Sequence, residues 1–200
     1  MSRVKIRDFR RNELIDAAIA SIAAHGLPDT TLMTIAEQAG VSPSLVNHYF
    51  DGKEELLEAT LRRLTKELAF EIRRLTPANP TPAQRLEAII DGCLQPEQLR
   101  PGAMFAWRAF WAQLPTHPQL ASLQRTINRR FRSNIKVSLR SMVPPDEVDE
   151  VYLGLYALID GFWMRQFIDP DSFSMDDARR ICRRYLVTAT ASDRGEPAGV

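Results

Sequence analysis

Helical periodicity, broken by glycine and proline, runs along nearly the whole chain. In residues 9–25, Leu14, Ile15, Ala18 and Ile22 fall on one face, and the pattern stops at His25-Gly26, a glycine helix end. Residues 32–39 predict a short second helix ending at Gly40. Ser42-Pro43 opens a third that ends near Phe50: the serine caps free amides, and proline suits the first turn. Asp51-Gly52-Lys53-Glu54 reads as another start, with Asp51 as cap and Glu54 three residues on, leading a long helix over about 53–75. After the proline-rich connection TPANPTP, helical patterns resume at about 82–94, 102–114, 118–141, 146–168 and 175–190. The tail ASDRGEPAGV reads as frayed. With no strand-like alternation, internal repeat or glycine-rich phosphate loop, the expected fold class is all-α, with nine or ten helices. The first three form a head, and the fourth joins it to the rest.

Helix 32–39, a turn at Gly40-Val41 and helix 43–50 have helix-turn-helix spacing. Ile35, Ala36, Val41 and Val46 supply the apolar contact, and Ala36 is small enough for the helices to approach. The plain alternative is a pair of short packed helices with no ligand. If the pair reads DNA, it does so without charge, because AGVSPSLVNHYF holds no lysine or arginine. Hydroxyls, amides and backbone N–H groups make many phosphate contacts. Ser42 and Ser44 stand where the helix dipole favours an anion, Asn47 suits a base edge, and His48 and Tyr49 can donate to phosphate. Formal charge comes from the flanks: Arg3, Lys5, Arg7, Arg10 and Arg11 against Asp8, and Lys53 further on. Such a terminus acts as an arm along the DNA or is simply solvated.

Composition narrows the classes. Net charge is +1 over 200 residues, from 26 basic and 25 acidic side chains, which argues against a protein that coats DNA without sequence preference. The two cysteines, Cys93 and Cys182, have no metal-like spacing and read as reduced thiols. No apolar run reaches the ~20 residues of a membrane span, and MSRVKIRDFRRNEL lacks a signal-peptide core, so a cytoplasmic protein without cofactor or metal is expected. His25, His48 and His117 are scattered and form no nucleophile–base set, which leaves a helical enzyme acting on a small amine as a weak rival.

The run ELIDAAIASIAAHGLPDTTLMTIAEQAGVSPSLVNHYFDGKEELLEAT resembles the N-terminal domain of TetR-family transcriptional repressors. The likeness covers about residues 8–68, with the helix-turn-helix at about 31–50, and leaves 69–192 as a ligand-binding and dimerisation body. It implies a homodimer on double-stranded operator DNA, with a small-molecule effector. Its candidate DNA-binding set here is Thr34, Ser42, Ser44, Asn47, His48, Tyr49 and Lys53, with Tyr49 and Lys53 at phosphate and Ser44, Asn47 and His48 near the bases. MFAWRAFWA, RRFRSN and ALIDGFWMR further resemble the BetI-type repressors, which implies control of choline uptake and conversion to glycine betaine, with choline as effector. Arg108 and DGCLQPEQLRPG depart from that pattern and bear on the exact ligand.

A quaternary ammonium is held by aromatic faces and a carboxylate. Trp107, Phe110 and Trp111 share one helical face, as do Tyr156, Asp160 and Trp163, and together the two stretches are expected to make a cage. Aromatic stripes of this spacing also serve as core or dimer interface. Glu97 and Glu147 are further possible counter-ions, and another lipophilic cation is the alternative effector. Apolar positions across more than one stripe of 148–163, with Ile181, Tyr185 and Leu186, suit a four-helix interface between two subunits.

Overall fold

The computed structural model describes residues 3–95 and 101–191. Among them are nine α-helices and no strand: α1 (Arg3–Asp29), α2 (Leu32–Ala39), α3 (Pro43–Tyr49), α4 (Gly52–Leu75), α5 (Pro82–Cys93), α6 (Pro101–Gln113), α7 (Pro118–Leu139), α8 (Val148–Ile168) and α9 (Met175–Thr190), with a 3-10 turn at Pro170–Ser172. The spans expected from periodicity hold to within two residues at most ends. The N-terminus differs: helix begins at Arg3, so the basic run is the first turns of α1 rather than a loose arm. Gly26 breaks that helix with φ 77° and ψ 167°.

Local chemistry sets the starts. Thr31, Thr81 and Ser174 each accept a hydrogen bond from the backbone N–H three residues on, and Thr34, Gln84 and Asp177 in turn accept one from the cap residue's own N–H. Each such cap contributes about 1 kcal/mol. At the start of α4 the Asp51 N–H donates to Glu55 Oε2 at 2.6 Å, so Glu55 rather than Glu54 reaches back to it. Glu55 also receives Arg11, and these two donors hold its carboxyl below the usual range.

Packing divides the chain into two units, Met1–Ala69 with Glu97–Ile127, and Phe70–Pro96 with Asn128–Val200. The core of the first is built from Leu14, Ile15, Ala18, Ile22, Ile35, Val46, Phe50, Leu57, Leu61 and Phe110. Here α1 packs against α2, α3 and α6. In the second unit α9 packs on α8 and α5, around Leu86, Ile90, Cys93, Leu155, Ile159 and Cys182. Thus α6 and the first part of α7, placed by sequence in the body, pack with the head helices. No helix of the described residues is long and apolar enough to cross a membrane.

Candidate functional site

The turn between α2 and α3 is fixed by backbone geometry. Gly40 takes φ 64° and ψ 33°, the left-handed conformation that costs a side-chain-bearing residue, and the Val41 N–H donates to Ala36 O at 2.9 Å. Ile35, Ala36 and Val46 are buried at the contact between the helices. With α3's inner face committed to Val46 and Phe50, its opposite face shows Ser44, Asn47 and His48 to solvent at i, i+3 and i+4. Asn47 makes no hydrogen bond to any described residue, so its amide is free for a partner. The His48 and Tyr49 rings meet edge to face at 5.1 Å.

The other expected contact residues are already engaged. Thr34 Oγ1 accepts the Thr31 N–H at 2.9 Å and lies 2.9 Å from Ser21 Oγ. Ser42 Oγ accepts the Leu45 N–H at 3.3 Å and lies 2.8 Å from Ser44 Oγ. Lys53 Nζ donates to the carbonyls of Leu27 and Pro28 at 3.3 and 3.5 Å, tying the start of α4 to the segment after the α1 break. Half-buried Tyr49 lines a shallow cleft with Arg10, Glu13, Leu14, Ala39, Val41 and Leu45. The basic run supplied a strut that sequence reasoning missed. Arg11 donates to the Tyr49 carbonyl and to Glu55 at 2.9 Å, and lies 4.0 Å over the Phe50 ring. It locks the end of α3 and is not free for phosphate.

The aromatic stretches of the body fall in different units. In the first, Trp107 and Phe110 are buried and Trp111 is half-buried, with the two indoles 5.9 Å apart. The Trp107 indole N–H is buried and has no hydrogen-bond partner among the described residues. In the second, Tyr156 is half-buried and lies 5.7 Å from both Phe131 and the stacked Tyr152. Asp160 stands one turn beyond Tyr156 on α8. It has no hydrogen bond or ion pair among the described residues, and burial alone lifts its carboxyl to about 6. Burial, and then the Asp160 charge, push the Tyr156 hydroxyl up. Trp163 is buried, and its N–H is committed to the Cys93 carbonyl at 3.0 Å. Phe131 and Tyr152 were missed by sequence. Tyr152 was accessible as the next member of the i, i+4, i+8 series Tyr152, Tyr156, Asp160, whereas Phe131 is brought in by packing of α7. Lys136 and Arg132 lie 5.8 and 5.6 Å over Tyr152 and both pair with Asp149, which their hydrogen bonds, and then their charges, hold below the usual range. Glu147 is exposed just before α8, and Glu97 lies outside the described residues.

A polar, exposed recognition face on a rigidly capped helix-turn-helix defines a DNA-binding protein. Residues 14–60 match the tetR family of bacterial regulatory proteins, and residues 82–191 match the C-terminal region of BetI-type transcriptional repressors. The chain is 36% identical over 187 residues to the HTH-type transcriptional regulator BetI of Burkholderia mallei, covering 93% of this chain and 96% of that one. It is 37% identical over 188 residues to the regulator of the same name from Pectobacterium carotovorum, with the same coverage. Among solved structures, a putative transcriptional regulator from Pseudomonas aeruginosa PAO1 superposes with a TM-score of 0.78 at 25% identity, over 92% of each chain. One from Saccharomonospora viridis, in complex with choline, gives 0.78 at 21% identity over 90% of this chain and 96% of that one. The chain belongs to the TetR family, in its BetI-type branch, and is a DNA-binding transcriptional repressor rather than an enzyme. Regulators of this family bind operator DNA and a small-molecule effector and act as dimers.

Proposed function

We propose that this repressor is gated by choline and controls choline uptake and conversion to glycine betaine in the cytoplasm. The observation that carries the reading is Asp160: a half-buried carboxylate with no ion pair among the described residues, next to the aromatic group of Phe131, Tyr152 and Tyr156. A buried carboxylate without a partner is costly. A quaternary ammonium would relieve that cost, offering charge to Asp160 and methyl groups to the Tyr156 face without needing a hydrogen bond. The name of the curated relatives and the choline in the Saccharomonospora complex support the same ligand.

In the head, Ser44, Asn47 and His48 meet base edges, while Tyr49 and Lys53 meet phosphate. Thr34 and Ser42 shape the two helix starts beside the DNA. Two heads on successive major-groove faces require a pseudo-palindromic site. An effector that binds one state of the dimer better than the other shifts the heads and changes DNA affinity. The outward stripe of α8 (Leu153, Ala157, Gly161, Met164 and Ile168) together with Ile181 and Val187 of α9 forms the subunit interface; all seven are exposed in the single chain.

The test is a gel shift on DNA upstream of the protein's own gene, with and without millimolar choline. Binding weakened by choline supports the repressor and its effector together. Binding indifferent to choline removes choline as the effector. Isothermal titration with glycine betaine and a larger cationic dye then identifies the cation that replaces it.

A further inference from the structure

Four consecutive residues at the end of α5 each hold a different neighbour. Asp91 takes both carboxylate oxygens to Arg183 of α9, at 2.6 and 2.5 Å. Gly92 is buried against α4: a Cβ there would lie 2.5 Å from Ile72 Cγ1 and 3.0 Å from Ile72 Cα. The Cys93 carbonyl accepts the Trp163 indole N–H of α8, and the Leu94 carbonyl accepts Arg179 of α9 at 2.6 Å. Trp163 stands one turn beyond Asp160, whose charge reaches the Cys93 thiol and raises it further than burial alone. α4 then continues unbroken from Ile72 back to Gly52, with Lys53 in its first turn.

We infer that Asp91–Leu94 is the joint through which effector occupancy beside Asp160 reaches α4, with the Gly92–Ile72 contact as its bearing surface. This rests on the effector reading above. A ligand that draws Asp160 or Tyr156 shifts α8 at Trp163, and Trp163 carries the Cys93 carbonyl with it. Neighbouring Gly92 has no side chain to absorb the displacement, so Ile72 receives it through near-contact of helix backbones. Close-packed interfaces of this kind pass on small shifts because they resist compression. Glycine is required here by space: any larger residue would wedge α5 off α4.

The joint is tested by the coupling ratio, the choline dissociation constant of the DNA-bound protein divided by that of the free protein, measured by titration on full-length dimer. Coupling between two binding equilibria is reciprocal, so the same ratio is recovered from DNA affinity with and without choline. Gly92→Ala wedges the joint and Ile72→Ala slackens it. Each is expected to lower the ratio at least fivefold, and Ile72→Ala serves alone if the wedge prevents folding. Leu139→Ala, a loss of packing at a fully buried α7 position outside the contacts of Asp91–Leu94 named above, is expected to keep the wild-type ratio. An unchanged ratio in Ile72→Ala overturns the inference, as does an equal fall in Leu139→Ala, which would make coupling a general consequence of packing. A wild-type ratio of one overturns the effector reading and the joint with it, and is told apart because no variant is needed to see it.

Discussion

Trp163 donates its indole N–H to the main-chain carbonyl of Cys93 at 3.0 Å, in a buried setting. The bond ties α8 to the end of α5, where helix carbonyls lack intrahelical partners. Trp163→Phe keeps much of the ring volume but leaves that carbonyl unpaired, which costs about 1–3 kcal/mol. Chemical denaturation is expected to show this loss, with choline affinity changed by less than about threefold. Unchanged stability with a tenfold weaker ligand would instead make Trp163 a wall of the ligand site.

Asp160 gives the body a distinctive pH response. Its carboxyl sits at about 6 in the folded chain against an ordinary 3.8. Between those values the native state holds a proton that the unfolded chain has released. Stability contributed at this position is therefore present at the acid end and lost as pH rises through the window. Asp160→Asn is expected to remove that slope and raise the melting temperature at pH 8 relative to wild type. A bound quaternary ammonium favours the ionised form. Choline affinity should then fall as pH drops below about 6, with proton release on binding there. Titration calorimetry in buffers of different ionisation enthalpy counts those protons, and zero release at pH 5.5 would place the cation away from Asp160.

The head separates base reading from anchoring. Asn47 is exposed and makes no hydrogen bond among the described residues, so Asn47→Ala should leave the melting temperature unchanged. It should relax preference at one operator position by about 1–3 kcal/mol. Lys53 also holds the Leu27 and Pro28 carbonyls. Lys53→Ala is expected to weaken all sequences alike, lower the salt slope by about 0.9 and destabilise the head. A salt slope that does not change would confine Lys53 to its structural bonds.

Helix positions and the helix-turn-helix were legible because they depend on local signals: the Ser42 cap before Pro43, glycine ends, and a 3.6-residue apolar period. What escaped depends on contacts distant in sequence. Arg11 reads as one more basic residue of the terminus, yet it meets Tyr49, Phe50 and Glu55 some forty positions away. Phe131 reaches Tyr156 only because the later part of α7 and α8 belong to one packed unit. Trp163 reads as part of an aromatic face with Tyr156 and Asp160, yet its N–H partner lies 70 residues earlier in the chain. The stretch DGCL carried no motif, since its consequence lies in what packs against Gly92.

The outward stripe of α8 makes the last prediction. Leu153 and Ile168 are each 62% exposed in the single chain; between them on that face, Ala157 and Gly161 are small, and Met164 follows toward the C-terminal end. Small residues at the centre let two such helices approach, with larger apolar side chains closing the ends. In a two-fold dimer the stripe meets its own copy, so a charge at its middle is repeated across the axis. Ala157→Arg therefore places two like charges in a desolvated interface while leaving the single subunit unstrained, because Ala157 faces outward and arginine is a good helix former. The variant should fold with native helicity yet run as a monomer by light scattering. Its operator affinity should fall about a hundredfold or more, because two linked heads bind far more tightly than one. A variant that remains dimeric at micromolar concentration would move the subunit interface off this face of α8.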